Sequence, residues 1–239
     1  MSYLGKKGYS LLKSELTIKE ELFIRKELTV KAFVPKSPVQ PEAFPIYRES
    51  PKKFYMPRYF GISTFGDFEE NKLSLGEDIN LEFEGELRDY QINIVNKYMA
   101  AVKDSGGGLL DVDPGKGKTV MALDIIAKLK KKTLVIVHKS FLLNQWLERI
   151  QQFLPNARVG KIQGQIIDIE DKDIVIGMLQ SLSQKEYPEN LFDCFGLSIY
   201  DETHHLGAEV FSRCMMRTIT NYTLGLSGTM QRKDGLTKV

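Results

Sequence analysis

The chain has 239 residues, of which 42% are apolar and 27% charged, so it can bury a substantial hydrophobic core. Its 33 Lys and Arg against 31 Asp and Glu give a formal charge of +2. The sequence has no run of about 18 uncharged apolar residues, and its N-terminus "MSYLGKKGYSLLKSEL" lacks the apolar centre of a signal peptide, so we expect an intracellular protein that is neither secreted nor membrane-spanning.

The charge is distributed unevenly along the chain. Residues 1–60 hold 12 Lys and Arg against 6 Glu, a net +6, so the remainder carries +2 minus +6, a net −4. Aromatic residues are interleaved with the basic ones in "FPIYRESPKKFYMPRYFG", residues 44–61. This composition suits a surface that contacts a nucleic-acid backbone, and it also suits a small β-rich core whose lysines are merely solvated.

The first elements are predicted from local signals. The capping box "TIKE", Thr17 to Glu20, predicts the start of a helix. Four prolines between residues 35 and 45 predict an extended, irregular stretch. The polar, acidic segment 71–87 is typical of a linker, so we place a domain boundary near residue 82. Residues 1–82 then form a small α+β accessory domain with its linker, and residues 83–239 form a second domain.

The second domain alternates strands with helices. Its strands are short, nearly continuous apolar runs, which is typical of strands buried on both faces. We therefore predict an α/β fold with a mostly parallel sheet and flanking helices, whose ligands bind at the carboxyl ends of the strands. Trp146 lies on the apolar face of its predicted helix, which favours a place in the core. In chain order we predict helices at 87–103, 118–132, 141–154 and near 209–216, with strands at 108–112, 133–139, around 158–162, 173–179, 196–201 and 222–227.

A glycine- and lysine-rich loop, "VDPGKGKT" at Val112 to Thr119, joins a predicted strand to a helix. Gly115 and Gly117 allow the backbone to curl closely around an anion, and the following helix adds its positive N-terminal end. Lys118 can reach the phosphates of a nucleotide and the Thr119 hydroxyl can bind Mg²⁺. The alternative, a lysine-rich turn without function, does not explain this context.

Two carboxylates end another predicted strand, in "LSIYDETHH" at residues 197–205. An ATP site needs one carboxylate to orient Mg²⁺ and another to polarise the attacking water. Asp201 and Glu202 could be solvent-facing turn residues, but beside a phosphate loop we interpret them as this pair.

Cysteine and histidine point to no other chemistry. Cys194 and Cys214 are the only cysteines, which implies no disulfide framework and favours a reducing compartment. Together with His204 and His205 they lack the spacing of a zinc site, so we expect no zinc.

The motif "DETH" at Asp201 to His204 resembles the DExH box of superfamily 2 helicases. Over residues 87–239 the chain resembles the XPB-like and UvsW-like DNA translocases, including those of large DNA viruses, because further motifs follow in the order of that family. These motifs are "LRDYQ" at 87–91 for adenine reading, "VIVHKSFLLNQW" at 135–146 for motif Ia, "VGKIQG" at 159–164 and "IVIGMLQSLS" at 174–183 for strand contacts, and "LGLSGTMQRKDGLTKV" at 224–239 for motif III.

The resemblance implies a RecA-like P-loop NTPase domain that uses ATP and Mg²⁺. It assigns catalysis to Lys118, Asp201 and Glu202, with Glu202 activating the hydrolytic water. Thr119 and Asp201 would hold Mg²⁺, partly through water. The implied nucleotide-binding residues are Arg88, Gln91, Gly115, Lys116, Gly117, Lys118, Thr119 and Val120. Coupling to the track is assigned to His204, Ser227 and Thr229. The candidates for nucleic-acid contact, of which the first five could instead be surface or helix-cap residues, are Lys139, Gln145, Gly164, Gln180, Ser181 and Arg232.

Two features depart from the family. Its usual Ser-Ala-Thr-Pro in motif III is Ser227, Gly228, Thr229 and Met230 here, which we expect to loosen coupling. The chain ends just after this motif, so we expect the second RecA-like lobe with its arginine finger to be absent. Because such a finger contributes about 10³ to 10⁵ in rate, we expect nucleotide binding with weak turnover.

The resulting expectation is the ATP-binding half of a helicase or translocase that moves on nucleic acid. Duplex DNA is favoured over RNA as the track, with a second lobe in cis or trans and transcription or repair machinery as partners. The resemblance places it in the cytoplasm or nucleus, of an infected host in the viral case, or in a virion. The alternative is a one-lobe, nucleotide-dependent module that binds a nucleic acid or a protein without motor activity.

Overall fold

The sequence folds into two units, which a computed structural model describes for residues 1–31, 42–188, 190–201 and 208–228. Within these ranges the first unit comprises residues 1–73 and 208–219, and the second comprises residues 74–201 and 220–228. The chain passes from one unit to the other after Leu73, earlier than the boundary near residue 82 that composition predicts.

The first unit is built on a five-stranded sheet of order β5-β6-β2-β1-β7, antiparallel except for the β1/β7 pair. Thr17 begins α1 with the predicted capping box, since its hydroxyl accepts from the Glu20 N–H and the Glu20 carboxylate accepts from the Thr17 N–H. The elements are β1 (Tyr3–Gly5), β2 (Gly8–Leu12), a 3₁₀ turn (Lys13–Glu15), α1 (Ile18–Glu27), β3 (Thr29–Val30), β4 (Phe44–Pro45), β5 (Arg48–Glu49), β6 (Lys53–Met56), α2 (Arg58–Phe65) and β7 (Glu70–Asn71).

One face of this sheet packs against the two helices to form the core of the unit. Tyr9 and Phe54 are fully buried there, together with Ile24 of α1. Helix α2 approaches β2 so closely that a Cβ on Gly61 would lie 2.2 Å from the Tyr9 ring, so only glycine fits at that position. The alternating apolar positions of β2 and β6 therefore specify a real β-rich core in this basic region.

The second unit carries a seven-stranded sheet of order β11-β10-β12-β9-β13-β14-β8. Every neighbouring pair is parallel except β10 and β11, which form a hairpin. Its elements are α3 (Asp89–Ser105), β8 (Gly107–Asp111), α4 (Lys118–Leu129), β9 (Thr133–Val137), α5 (Ser140–Phe153), β10 (Val159–Gln163), β11 (Ile166–Ile167), β12 (Ile174–Met178), α6 (Leu179–Gln184), β13 (Leu197–Asp201) and β14 (Tyr222–Ser227), with α7 (Ala208–Met215) of the first unit inserted before β14.

The predicted parallel sheet with flanking helices is confirmed. All residues of β9, β12 and β13 are buried, which explains their continuous apolar runs. The six parallel strands all end at one edge of the sheet, so the loops that follow β8, β9, β12, β13 and β14 meet there. This edge carries the candidate site.

The segment that composition assigns to a linker contributes to the second unit. Ile79 and Leu81 are buried in its core cluster, and the Ile79 N–H donates to the Lys130 carbonyl at 3.0 Å. The carboxylate of Glu77 accepts a hydrogen bond from the ammonium of buried Lys132 at 2.8 Å. Because acidic residues separate these apolar positions, composition does not reveal this short extended segment, which packs on the second unit.

In the part of the chain that the structure describes, no helix is long and apolar enough to cross a membrane.

Candidate active site

The loop after β8 takes a shape that two glycines make possible. Gly115 and Gly117 have φ angles of +78° and +82°, in the left-handed region that other residues rarely adopt. A Cβ on Gly117 would lie 2.4 Å from Nε2 of Gln91, whereas one on Gly115 would meet nothing within 4 Å. Gly117 is therefore required by both conformation and space, and Gly115 by conformation alone.

The side chain of Gln91, in the first turn of α3, binds the backbone of this loop. Its Oε1 accepts from the Arg88 N–H at 2.9 Å, and its Nε2 donates to the Lys116 carbonyl at 3.0 Å. The hydroxyl of Tyr90 donates to the same carbonyl at 2.9 Å. The residue predicted to read adenine thus lies against the predicted phosphate loop. Tyr90 makes a second contact with this loop, which was not predicted although Tyr90 lies in the same motif. The side chain of Arg88 is exposed.

The first turn of α4 presents the predicted phosphate-binding residues. Lys118 is 9% exposed and its ammonium donates to the Val112 carbonyl at 3.0 Å, across the loop. Thr119 and Val120 follow it and are half-buried. The loop thus brings an ammonium, a hydroxyl and the N-terminal end of a twelve-residue helix together, which is an arrangement suited to anions.

The end of β14 closes against the same loop. The Val112 N–H donates to the carbonyl of Ser227, a buried residue assigned to coupling. A Cβ on Gly228 would lie 3.2 Å from both the Lys118 ammonium and the Pro114 ring. Gly228, which departs from the family pattern of motif III, therefore lies close to Pro114 of the phosphate loop.

Asp201 ends β13 at the same edge and is 7% exposed. Its Oδ2 accepts a hydrogen bond from the indole N–H of Trp146 at 2.8 Å. Trp146 is a core residue as predicted, with 1% exposure, but its contact with Asp201 was missed. The signal available was that a buried tryptophan usually finds a partner for its N–H. Glu202, His204, Thr229 and Arg232 lie outside the described residues.

The donors present fit a magnesium ion that arrives with phosphates. Mg²⁺ prefers oxygen ligands and is usually bound through one or two carboxylates plus substrate phosphates. Asp201 and Thr119 would supply one carboxylate and one hydroxyl to such an ion. Within the described ranges no three His, Cys, Asp or Glu side chains cluster as a resident metal site would require.

Four of the residues predicted to touch nucleic acid lie in neighbouring segments at this edge: Gly164 in a turn, Lys139 directly before α5, and Gln180 and Ser181 at the start of α6. The N–H of Gly164, in the turn between β10 and β11, donates to the Ser181 hydroxyl at 2.9 Å. The Gln180 amide donates to the His138 carbonyl at 3.3 Å, directly before Lys139. Gln145 is exposed on α5, the helix that Lys139 precedes.

Three further side chains, which were not predicted, lie beside these candidate nucleic-acid residues. The Lys185 ammonium donates to the Gly164 carbonyl, and the Tyr187 hydroxyl donates to the Ser181 carbonyl at 3.0 Å. Phe141, at the start of α5, is 61% exposed, with the Lys139 ammonium 5.8 Å from its ring centre. An exposed aromatic ring beside a cation is a typical contact for a base or sugar, and its place in motif Ia was the available signal.

Comparison with known proteins agrees with this geometry. A family model described as the res subunit of type III restriction enzymes matches residues 84–232. Protein L396 of Acanthamoeba polyphaga mimivirus, named as a candidate ATP-dependent RNA helicase, is 35% identical over 230 residues, which are 95% of this chain and 43% of that protein. The DNA 3'-5' translocase XPB2 of Sulfurisphaera tokodaii is 35% identical over 150 residues, 63% of this chain and 32% of that protein. The chain spans less than half the length of these relatives.

Solved structures show the same fold. The UvsW helicase from bacteriophage T4 has a TM-score of 0.62 at 16% identity and covers 92% of this chain and 89% of that one. The SWI2/SNF2 ATPase core of Sulfolobus solfataricus, solved in complex with double-stranded DNA, has a TM-score of 0.55 at 24% identity and covers 69% of this chain and 36% of that one.

Proposed function

From the premise that the chain belongs to the family described as the res subunit of type III restriction enzymes, we propose that it binds ATP with Mg²⁺ and couples hydrolysis to movement along nucleic acid. It forms the N-terminal RecA-like lobe of a superfamily 2 helicase. One observation supports this most directly. The loop that carries Lys118 and the strand that ends in buried Asp201 open onto the same edge of one parallel sheet.

The chain's own residues would divide the chemistry as follows. Backbone N–H groups of residues 115–119 and the Lys118 ammonium would bind the phosphates, with Lys118 exchanging part of its protein hydrogen bonds for phosphate oxygens. Thr119 and Asp201 would hold the magnesium ion, which neutralises negative charge on the phosphates when bound. Glu202 would orient and activate the hydrolytic water. His204, Ser227 and Thr229 would relay the state of the nucleotide to the track.

Duplex DNA is the track that we favour. XPB2 is named as a DNA translocase and the S. solfataricus core was solved with double-stranded DNA, whereas the mimivirus relative is named for RNA. Complete activity would require a second RecA-like lobe, in cis or in trans, because that lobe supplies the arginine finger in this superfamily. Without that finger, the chain alone would hydrolyse ATP about 10³ to 10⁵ times more slowly than the complete enzyme.

The experiment is ATP hydrolysis by the protein with a second RecA-like lobe supplied, with and without nucleic acid. We expect duplex DNA to stimulate turnover, and Glu202→Gln to retain ATP binding while abolishing turnover. Normal hydrolysis by that variant would show that Glu202 has another role. Tight ATP binding with turnover that no nucleic acid stimulates would instead support the one-lobe binding module. Affinities for DNA, RNA and hybrid duplexes over a salt series would identify the track.

A further inference from the structure

Trp146 is the single tryptophan of the chain, and it lies deep in the second unit. Its indole N–H donates to Oδ2 of Asp201 at 2.8 Å, in a contact buried on both sides. The two residues are 55 positions apart in sequence, so the contact is made by the fold and not by local geometry.

Packing alone does not require an indole at this position. The apolar ring packs beside Leu142, Leu143 and Ile150, which are the other buried residues of α5, and it would do so without an N–H group. The indole adds one N–H, which can only donate, and it meets an oxygen of a carboxylate. A hydrogen bond to an ionised group is roughly twice as strong as a neutral one, and it is strengthened further where water is excluded. The Trp146 N–H therefore helps to hold the Asp201 carboxylate in its orientation.

The helix that carries Trp146 also carries residues predicted to touch nucleic acid. Lys139 precedes α5, and Gln145 is the immediate neighbour of Trp146 in the chain and is exposed. A fourteen-residue helix moves largely as one body, so a displacement of Trp146 displaces Gln145 with it. One hydrogen bond thus joins the carboxylate assigned to magnesium to the helix assigned to the track.

We propose that Trp146 is a positioning residue for Asp201 and that this hydrogen bond couples magnesium–nucleotide occupancy to the position of α5. The proposal rests on the proposed function, because it assumes that Asp201 serves a magnesium ion. A cation at Asp201 draws on the same carboxylate charge that the indole N–H uses, so metal binding and the Trp146 contact are linked. Linkage is reciprocal, so nucleic acid bound at α5 must change the affinity for the magnesium–nucleotide complex by the same factor.

The first test is Trp146→Phe, which keeps an aromatic ring and removes the N–H. The affinity for a non-hydrolysable ATP analogue is measured by calorimetry with Mg²⁺ and with a chelator. We expect the Mg²⁺-dependent gain in affinity to fall about 10- to 100-fold, as for other groups that orient metal ligands, while the metal-free affinity stays unchanged. Ile150→Val removes one methylene from the same buried face of α5 and no hydrogen-bonding group, so it controls for packing and should leave both affinities unchanged. Equal loss of both affinities in Trp146→Phe, or no loss, would overturn the positioning role.

The second test uses the unmodified protein, whose single tryptophan reports on this contact. Titration with the analogue and Mg²⁺ should change the Trp146 emission with the same half-saturation as calorimetry, and Asp201→Asn should lose the Mg²⁺-dependent part. Duplex DNA should shift that half-saturation. The affinity for the nucleotide should change by the same factor, and in the same direction, as the nucleotide changes the affinity for DNA. Unchanged emission while calorimetry detects binding would overturn the coupling and leave the proposed function standing. Absence of any nucleotide binding would overturn the proposed function itself.

Discussion

The side-chain amide of Gln91 donates to the backbone carbonyl of Lys116 at 3.0 Å, so the first turn of α3 holds the middle of the phosphate loop. Gln91→Glu keeps an acceptor for the Arg88 N–H but replaces the donor to Lys116 with a carboxylate oxygen. We expect nucleotide affinity to fall about tenfold, the worth of roughly one hydrogen bond, when measured by calorimetry.

Tyr90→Phe is the matched control, because it removes the other hydrogen bond to the Lys116 carbonyl. If Gln91 only holds the loop, both variants weaken ATP and GTP alike. If Gln91 also reads the base, as the resemblance implies, only Gln91→Glu changes the preference between ATP and GTP.

The two glycines of the loop differ in a way that substitution can measure. Alanine at either position is forced into the left-handed region, which costs about 1–2 kcal/mol. At Gly117 the new Cβ would also displace the Gln91 amide, adding about 1 kcal/mol for the lost hydrogen bond. Gly117→Ala should therefore weaken nucleotide binding more than Gly115→Ala.

A double-mutant cycle checks the cause. In a Gln91→Ala background there is no amide to displace, so the difference between the two glycine variants should disappear. A difference that persists would place the effect of Gly117 in the phosphate contacts themselves.

Lys139 should contribute an ionic contact to nucleic-acid binding. Lys139→Ala is expected to weaken duplex binding about equally for all sequences and to reduce the slope of log affinity against log salt by about 1. Lys103→Ala is the control, since Lys103 is also exposed but lies in the last turn of α3, where β8 begins, at the opposite edge of the sheet. Equal slopes for both variants would remove Lys139 from the nucleic-acid surface.

Asp173 should make the free energy of unfolding of the second unit fall at acidic pH. Burial raises the pKa of Asp173, but the hydrogen bonds from the side chain and backbone N–H of Arg158 outweigh this and hold the pKa below its usual value. Its contribution is therefore complete above the unfolded pKa of about 4 and is lost as pH falls through the lower, folded pKa. Urea unfolding followed by Trp146 emission should show stability falling as pH drops below about 5 and onward through the folded pKa of Asp173, with a slope of at most about one proton.

Asp173→Asn should lose this part of the acid dependence. Arg158→Ala removes the side-chain donor and leaves burial acting on the carboxyl, so the dependence should shrink there too. An acid dependence identical in all three proteins would assign it to other groups.

The sequence predicted the sheet of the second unit well because its strands are buried on both faces and leave continuous apolar runs, as in β9 and β12. The segment around Ile79 and Leu81 was misread as a linker because two buried apolar residues among acidic ones give little periodicity. Helix α6, six residues long, is too short to show a period. Contacts such as that between Trp146 and Asp201 join distant parts of the chain and depend on strand order, which composition does not specify.

The nearness of Pro114 to Gly228 bears on how this loop can change during evolution. A methyl group at 228 would lie 3.2 Å from the proline ring, which is tighter than an ordinary contact, so one of the two residues would have to shift by a few tenths of an ångström. Relatives with alanine at the second position should carry a smaller or differently placed side chain at the first. The two exchanges should therefore occur together, because alanine at 228 beside an unchanged Pro114 would crowd both the proline ring and the ammonium of Lys118.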